Sequence, residues 1–395
     1  MALSTPAPGA WSIFFIFLRL GLTSFGGPVA HLGFFRQEFV DRRRWLSDEG
    51  YADLVALCQF LPGPASSQVG LAIGLSRGGY TGALAAWAGF TLPSVIALIV
   101  FAMSLTAFGQ GLPEGLLAGL KLAAVAVVAQ AVWQMAQKLC PDSARRTLMV
   151  LAAALMLLFP SVWIQLAIIM AAALAGRALL PAASGDATDD LPVHTRRFTA
   201  VGAGAVLLLL LFGLPLVASS SHGLALIDTF YRAGSLVFGG GHVVLPLLQA
   251  EVVPAGWVDN HTFMAGYGAA QAVPGPLFTF AAFLGASMEQ GIGGVYGGLL
   301  ATFAIFLPSF LLVIAALPFW QLLRVKPGIR AALNGVNAAV VGLLLAALYD
   351  PVWTSAVYGP SDVVLVLLSF TALQIWRVPV WLVVLLTPLA GILLG

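Results

Sequence analysis

The sequence predicts an all-α polytopic membrane protein built from two inverted-topology repeats, with broken or re-entrant helices at FGG and PGP motifs. Three observations carry that expectation. First, 60% of the 395 residues are hydrophobic and 9% are charged, with a mean hydropathy of +0.98, whereas soluble domains carry about 25% charged residues. Second, Phe230–Leu245 (FYRAGSLVFGGGHVVL) repeats the opening of Phe17–Arg44 (FLRLGLTSFGGPVAHLGFFRQEFVDRRR). Arg232, Gly234, Phe238, Gly239 and Gly240 fall on Arg19, Gly21, Phe25, Gly26 and Gly27 at one offset (232 − 19 = 213). Third, the loops that follow matching segments carry opposite charge, and an excess of Lys and Arg marks the cytoplasmic side.

Composition also excludes whole classes of function. A net charge of +2, with the basic residues in short clusters between apolar runs, argues against a nucleic-acid partner and reads as a set of topology signals in a lipid bilayer. Cys58 and Cys140 have no CxxC or Cys/His spacing, so neither a disulfide framework nor a zinc site is expected, and no cofactor or metal is expected. Residues 1–10 lack a basic n-region, so the first apolar run is expected to be retained. No soluble domain of useful size is expected.

At about 20 apolar residues per crossing, the first half offers runs at 11–35, 50–76, 80–108, 114–138, 146–160 and 161–180. Pro62-Gly63-Pro64 interrupts the second run, because proline removes a backbone donor and clashes with the preceding turn; two half-helices follow. Pro93 marks a candidate kink in the third. Residues 181–194 (PAASGDATDDLPVH) have the polar composition of a linker, and the run at 198–218, with no earlier counterpart, connects the halves. The second copy then gives runs at 224–245, 258–290, 293–320, 328–349, 361–376 and 378–394. Trp45 pairs with Trp257, Gln59 with Gln271, Pro62-Gly63-Pro64 with Pro274-Gly275-Pro276, and Leu92-Pro93-Ser94 with Leu307-Pro308-Ser309, at offsets from 212 to 215. The expected division is 1–180 for the first transmembrane repeat, 181–218 for a polar linker plus connecting helix, and 219–395 for the second, inverted repeat.

Loop charge sets the relative orientation. The loop at 36–49 holds four arginines, while its partner at 246–257 has no Lys or Arg and carries Glu251. The loop at 109–114 has only Glu114, and its partner holds Arg324, Lys326 and Arg330. Lys138, Arg145 and Arg146 fill the loop at 138–146, and its partner at 350–362 has no Lys or Arg. Each pair points to opposite orientation, the usual construction of a transporter with two gates around a midplane site. Parity then has two solutions. Either the FGG segments are re-entrant, which requires surrounding protein or a water-filled cavity, or 198–218 does not cross.

An arginine at the bilayer centre costs roughly 2.5–3.5 kcal/mol, and Arg19, eight residues past Trp11, lies about 12 Å along a helix. Arg19 has no Asp or Glu three or four residues away, and Arg232 has only Asp228. Singly, each reads equally as a functional intramembrane charge or as a cation that snorkels to a headgroup or pairs with a distant carboxylate. As an equivalent pair beside glycine breaks, they read as an anion clamp, since guanidinium offers forked donors to oxyanions.

The breaks have a bland reading as packing and kinking devices. Together they place half-helix N-termini at depth, where free N–H groups and the helix dipole favour an anion. The candidate binding set is therefore Arg19, Gly26, Gly27, Gln59, Pro62, Gly63, Pro64, Ser66 and Ser67 in the first half. In the second half it is Arg232, Gly239, Gly240, Gln271, Pro274, Gly275, Pro276 and Thr279. Lys121, aligned with Asn334 and with Asn337 one turn further on, is a third cationic candidate; an interface lysine near Glu114 is an equal reading. His31 and His242 read as hydrogen-bonded packing residues. The run Arg36–Arg44 reads as a topology determinant with headgroup contact, and Trp45, Trp257 and Trp353 as interface anchors.

The stretches RLGLTSFGGPVAHLGFFRQEF, WLSDEGYADLVALCQFLPGPASSQVG and GALAAWAGFTLPS resemble the chromate ion transporter family in its long, bidomain form. The resemblance covers nearly the whole chain outside residues 1–10 and the linker. It implies export of chromate from the cytoplasm, driven by the membrane gradient and conferring chromate resistance, with sulfate as a related tetrahedral dianion. The second copy departs from the pattern with Gly241 for Pro28 and Ala272-Val273 for Phe60-Leu61, so the two halves need not contribute equally.

The expected protein is thus a secondary transporter of the bacterial inner membrane that exports chromate by alternating access, with a sulfate or other oxyanion carrier as the alternative. A homodimer is an admissible assembly. A membrane-embedded enzyme fits poorly, because the chain has no HExxH, CxxC, nucleotide loop or carboxylate dyad. A channel fits less well than a carrier, because duplicated, oppositely oriented halves with broken helices are carrier architecture.

Overall fold

The structure, a computed structural model, describes residues 8–24, 27–108, 114–180, 196–237, 244–289, 291–319, 327–354 and 356–394. It is 85% helical, with no strand among the described residues. Helix α1 (Ala10–Thr23) ends where Ser24 turns extended, and α2 (Gly27–Arg36) starts on the positive φ of Gly27 and runs into a π-helical turn, Gln37–Arg42. The first apolar run is therefore two short helices around the FGG motif, of which Phe25 and Gly26 lie outside the described residues. Helix α3 (Asp48–Phe60) is opened by Ser47, whose hydroxyl accepts from the Gly50 amide, a standard N-cap.

Helix α4 (Ala65–Phe108) would reach about 66 Å if straight, roughly twice the hydrocarbon core. It is not straight. Gly78 and Gly79 leave helical geometry, with Gly79 at φ +62°, so residues 65–77 form a half-helix and 80–108 a span. The break falls at this glycine pair and not at Pro93, which stays inside the helix. The two segments fold back on each other where a side chain on Gly74 would overlap the Gly82 carbonyl.

The chain continues through α5 (Glu114–Leu139), α6 (Ser143–Leu158), capped by Asp142, α7 (Val162–Leu179) and α8 (Arg197–Val217). The second half gives α9 (His222–Leu236), α10 (Val244–Val252) and α11 (Asn260–Ala272), then α12 (Phe280–Ser287) after a 3-10 turn at Leu277–Thr279. It ends with α13 (Gly294–Ala316), α14 (Pro327–Ala347), α15 (Pro360–Gln374) and α16 (Val380–Leu394). Here too a glycine pair closes a hairpin: a side chain on Gly285 of α12 would overlap the Gly297 carbonyl of α13.

Among the described residues, five helices are long and apolar enough to cross a membrane, and α8 carries a largely exposed apolar surface, including Phe198, Leu209, Phe212 and Leu216. In water that surface would be unfavourable; against lipid it is matched. The protein is an all-α, multi-pass membrane protein.

The C-terminal hairpin of each half packs on the other half. Helices α6 and α7 lie against α14, and α15 and α16 lie against α5. Small residues permit the approach, as in other membrane helix pairs. Gly176 of α7 faces the Ala331 carbonyl and Gly335, while Gly115 and Gly119 of α5 face Gly391 and Pro388 of α16. The halves are interleaved, so neither closes a core alone.

Candidate functional site

Each Pro-Gly-Pro break meets the broken end of a helix from the opposite half. The Gly63 amide donates to the Val237 carbonyl at 2.5 Å, at the end of α9. The Gly275 amide donates to the Ser24 carbonyl at 3.1 Å, at the end of α1. Both glycines need their identity, because φ is +113° at Gly63 and +106° at Gly275, a region that L side chains rarely adopt. The flanking prolines cannot donate, so each glycine supplies the one N–H of its motif. Ser24 and Val237 are themselves equivalent at the offset of 213, as are Gly21 and Gly234, which seat α1 on Phe90 and α9 on Ile305.

Around these paired junctions the side chains differ sharply. At the first, Gln68 Nε2 donates to the Pro62 carbonyl at 2.6 Å, and His31 reaches Ser66 Oγ at 3.4 Å and the Ser24 carbonyl at 3.1 Å. Ser24 Oγ, Ser67 Oγ, Gln68 Oε1, Thr91 Oγ1 and Ser309 Oγ are all buried there or close by with no hydrogen-bond partner. A Cβ on Gly63 would sit 2.8 Å from Gln68 Nε2 and 3.1 Å from Ser309 Oγ, so the glycine leaves a small polar cradle. Its counterpart in the second half is closed. Ser94 Oγ donates to the Pro274 carbonyl at 2.6 Å, and Thr279 Oγ1 donates back to the Pro276 carbonyl at 2.7 Å. At the offsets of this region Ser66, Gln68 and Thr91 become Phe278, Phe280 and Phe306, all fully buried. Buried polar atoms without partners are rare and point to a missing partner; here Ser67 Oγ and Gln68 Oε1 of the first half and Ser309 Oγ of the second are left open around the first motif, and Gln271 Nε2, three residues before Pro274, is left open as well.

The arginines are also unlike. Arg19 lies on the exposed face of α1 with Trp11, Phe15 and Leu22, and among the described residues no hydrogen bond or ion pair reaches its guanidinium. Arg232 is held by two carboxylates, Asp228 at 3.0 Å and Glu251 at 3.2 Å. The sequence offered only Asp228 for this role, because Glu251 comes from α10, beyond the second glycine break. The equivalent carboxylate in the first half is Glu38, at the same offset of 213, and it is engaged by Arg43 at 2.7 Å and Arg42 at 3.2 Å. Burial pushes the Glu38 carboxyl up, but its two arginines outweigh burial and hold it below the usual carboxylate range.

The other expected site residues are dispersed. Gln59 is exposed on α3, whereas Gln271 is half-buried, hydrogen-bonds Tyr267 and has a buried, unpartnered Nε2. Lys121 is buried on α5 and lies within electrostatic reach of Asp259 and His261 at the start of α11. Asn334 and Asn337 are half-buried on α14. Gly239, Gly240 and His242 lie outside the described residues. Trp45 is not a bare interface anchor: it stacks on Phe39 under Arg43 and Arg77, and Arg77 donates to its carbonyl.

Sequence reasoning passed over Ser24, Gln68, Thr91 and Ser309 as site residues. Ser309 was only a repeat landmark, and Gln68 was not singled out. The available signal was the loss of polarity at matched positions, Gln68 against Phe280 above all.

Comparison with known proteins places this arrangement. The chromate transporter family profile matches residues 11–177 and 224–393, so it spans both halves. A chromate transport protein of Pseudomonas aeruginosa is 30% identical over 380 residues, covering 91% of this chain and 85% of that protein. An uncharacterized transporter of Methanocaldococcus jannaschii is 27% identical over 86% of this chain and 83% of its own length. A probable chromate transport protein of Synechococcus elongatus is 26% identical over 84% of this chain and 81% of its own length. No solved structure matches. With the family profile matching most of the sequence, the chain belongs to the chromate transporter family, a family of membrane transporters and not of enzymes.

Proposed function

We propose that this protein is a secondary transporter that carries chromate out of the bacterial cell across the inner membrane, by alternating access between two inverted repeats. The observation that carries the reading is the exchange of backbone hydrogen bonds, Gly63 to Val237 and Gly275 to Ser24. Each joins the start of one half's broken helix to the end of the other half's. A tilt of one half against the other strains both junctions together, which fits the rocking of one repeat against the other around a fixed site in inverted-repeat carriers. The swapped loop charges and the exchanged C-terminal hairpins support the same symmetry.

The binding site is assigned to the first junction, where the N-terminal turn of α4 brings free N–H groups and a favourable dipole to Ser66, Ser67 and the Gly63 cradle. Arg19 lies on the exposed face of α1 and outside this junction; with no carboxylate on its guanidinium it is the arginine left to draw an anion in, whereas Arg232 is already paired. Moving a dianion outward runs with an inside-negative potential, at about 2.3 kcal/mol per elementary charge per 100 mV.

The test is uptake of labelled chromate into everted membrane vesicles, with sulfate as competitor and with the proton gradient and the electrical potential collapsed separately. Saturable chromate uptake, weakly inhibited by sulfate and showing counterflow, is the expected result. Sulfate uptake without chromate uptake replaces the substrate assignment, and non-saturating flux without counterflow replaces the carrier with a channel.

A further inference from the structure

The second half contains an ion cluster that the binding site does not use. Arg232 Nη2 lies between Asp228 Oδ2 at 3.0 Å and Glu251 Oε2 at 3.2 Å, and Asp228 is only 4% exposed. Asp228 Oδ1 and Arg232 Nε are buried and have no hydrogen-bond partner. With both carboxylates ionised, one guanidinium faces two negative charges, and the cluster carries a surplus of one. Ion pairs removed from water need matched charge and satisfied lone pairs, and this cluster has neither.

We propose that the Asp228–Arg232–Glu251 cluster is a proton-binding site that couples transport to proton movement, with Asp228 Oδ1 as the accepting atom. A proton from water adds to Oδ1, the cluster becomes neutral, and one side of the Arg232 guanidinium is released; return of the proton to water restores the paired state. Intramembrane carboxylates of this kind serve as relays in pumps and transporters.

The position of the cluster provides the coupling. Asp228 and Arg232 sit on α9, whose end supplies the Val237 carbonyl to Gly63, and Glu251 sits on α10, across the second glycine break. Protonation of Asp228 leaves the guanidinium to Glu251 alone and so tightens α10 on the helix that holds the first junction, and deprotonation shares Arg232 between both carboxylates and loosens that dock. No other charged group shares the cluster among the described residues: the charges acting on Asp228 are Arg232 and Glu251. Of the helices packed on α9, α13 has no charged residue, and α8 has only Arg197 at its start. His222 begins α9 and is exposed, and the Tyr231 hydroxyl is turned away to the Leu207 carbonyl. The first half has no such cluster, because Phe15 stands at the position of Asp228 and Glu38 is held by Arg42 and Arg43.

This inference rests on the reading of the protein as a gradient-driven carrier, so its test has one arm that needs no substrate. The purified full-length protein is titrated with pH by infrared difference spectroscopy, and the carbonyl stretch of a protonated carboxylic acid is followed. In proteoliposomes, an internal pH dye reports protons moved per labelled chromate. A titrating carboxyl band in the wild type that disappears in Asp228→Asn, with protons per chromate reduced at least fivefold in Asp228→Asn and Glu251→Gln, is expected. Chromate flux in the wild type without proton movement overturns the proposal, whatever the variants do. So does proton movement that persists in the double variant, or a band unaffected by Asp228→Asn. A carboxyl band that titrates as expected in a protein that carries no chromate leaves the proton site standing and removes the substrate assignment.

Discussion

Arg19 and Arg232 occupy the same place in two copies of one sequence and live in opposite electrostatic surroundings. In the second half, α9 provides Asp228 one turn before the arginine and α10 provides Glu251 from across the break. In the first half the turn-before position is Phe15, and the carboxylate across the break, Glu38, has been taken by Arg42 and Arg43. The arginines of the 36–49 loop thus engage Glu38, the equivalent of Glu251, and among the described residues no carboxylate pairs with Arg19. The loop of the second half has no Lys or Arg, so Glu251 has nothing nearer than Arg232. The junctions divide in the same direction: Ser66, Gln68 and Thr91 against Phe278, Phe280 and Phe306. At matched positions of the two halves the surroundings differ, polar and cationic in the first and apolar and charge-paired in the second.

The largest effect separates the two arginines by stability. Arg232→Ala leaves two carboxylates facing each other in a partly buried site, and removing one partner of such a pair costs about 3–5 kcal/mol. A clear fall in the melting temperature of the purified protein and loss of transport are expected. Arg19→Ala breaks no ion pair, so the protein inserts with an unchanged or higher melting temperature while chromate flux drops to background. Wild-type flux in Arg19→Ala removes that arginine from the site; equal melting temperatures for the two variants erase the comparison itself.

A sharper test transplants the difference. Phe15→Asp gives Arg19 the carboxylate four residues before it that Arg232 has in Asp228. Neutralising the attracting charge is expected to raise the KM for chromate at least tenfold, whereas Phe15→Asn, similar in shape and uncharged, changes it less than threefold. If both variants behave alike, lost packing at Phe15 explains the effect and charge does not.

The repeat, the glycine and proline breaks and the membrane class were legible in the sequence, because each rests on local spacing: an offset that holds across many positions, a proline that stops a helix, a run of apolar residues. The partners were not. Glu251 is 19 residues from Arg232, across a break whose path no periodicity describes, so only Asp228 at helical spacing was visible. The exchange of the C-terminal hairpins was hidden for the same reason, since α6 and α7 are as apolar as helices that would pack on their own half. Gln68 was legible as one turn past a proline, but its importance lies in the contrast with Phe280 and in the Ser309 hydroxyl brought from the other half.

That contrast predicts an intermediate effect. Gln68→Ala removes the amide that bridges to the Pro62 carbonyl beside the Gly63 cradle. A hydrogen bond to a charged ligand contributes about 1.5–3 kcal/mol, so the KM for chromate is expected to rise at least tenfold. Phe280→Ala, the matched change in the second half, empties apolar volume and is expected to lower the melting temperature with a much smaller change in KM. Reversal of the two outcomes moves the binding site to the second junction.

The smallest effect concerns Glu38. Its pairs with Arg42 and Arg43 lie at the protein surface, where such pairs contribute about 0–1 kcal/mol, so Glu38→Gln is expected to leave melting temperature and chromate flux within error of wild type. The pH dependence is the informative part. The folded carboxyl lies below its unfolded value, so its stabilisation is complete above the ordinary carboxylate range and is lost as pH falls through the folded value. The protection factors of the amides at 37–43, corrected for the intrinsic exchange rate at each pH, are therefore expected to fall in acid in the wild type and to show no such fall in Glu38→Gln. If Glu38→Gln instead reduces transport, Glu38 is not merely occupied by its loop but acts on Arg19, and the asymmetry between the two arginines is smaller than their resting contacts make it.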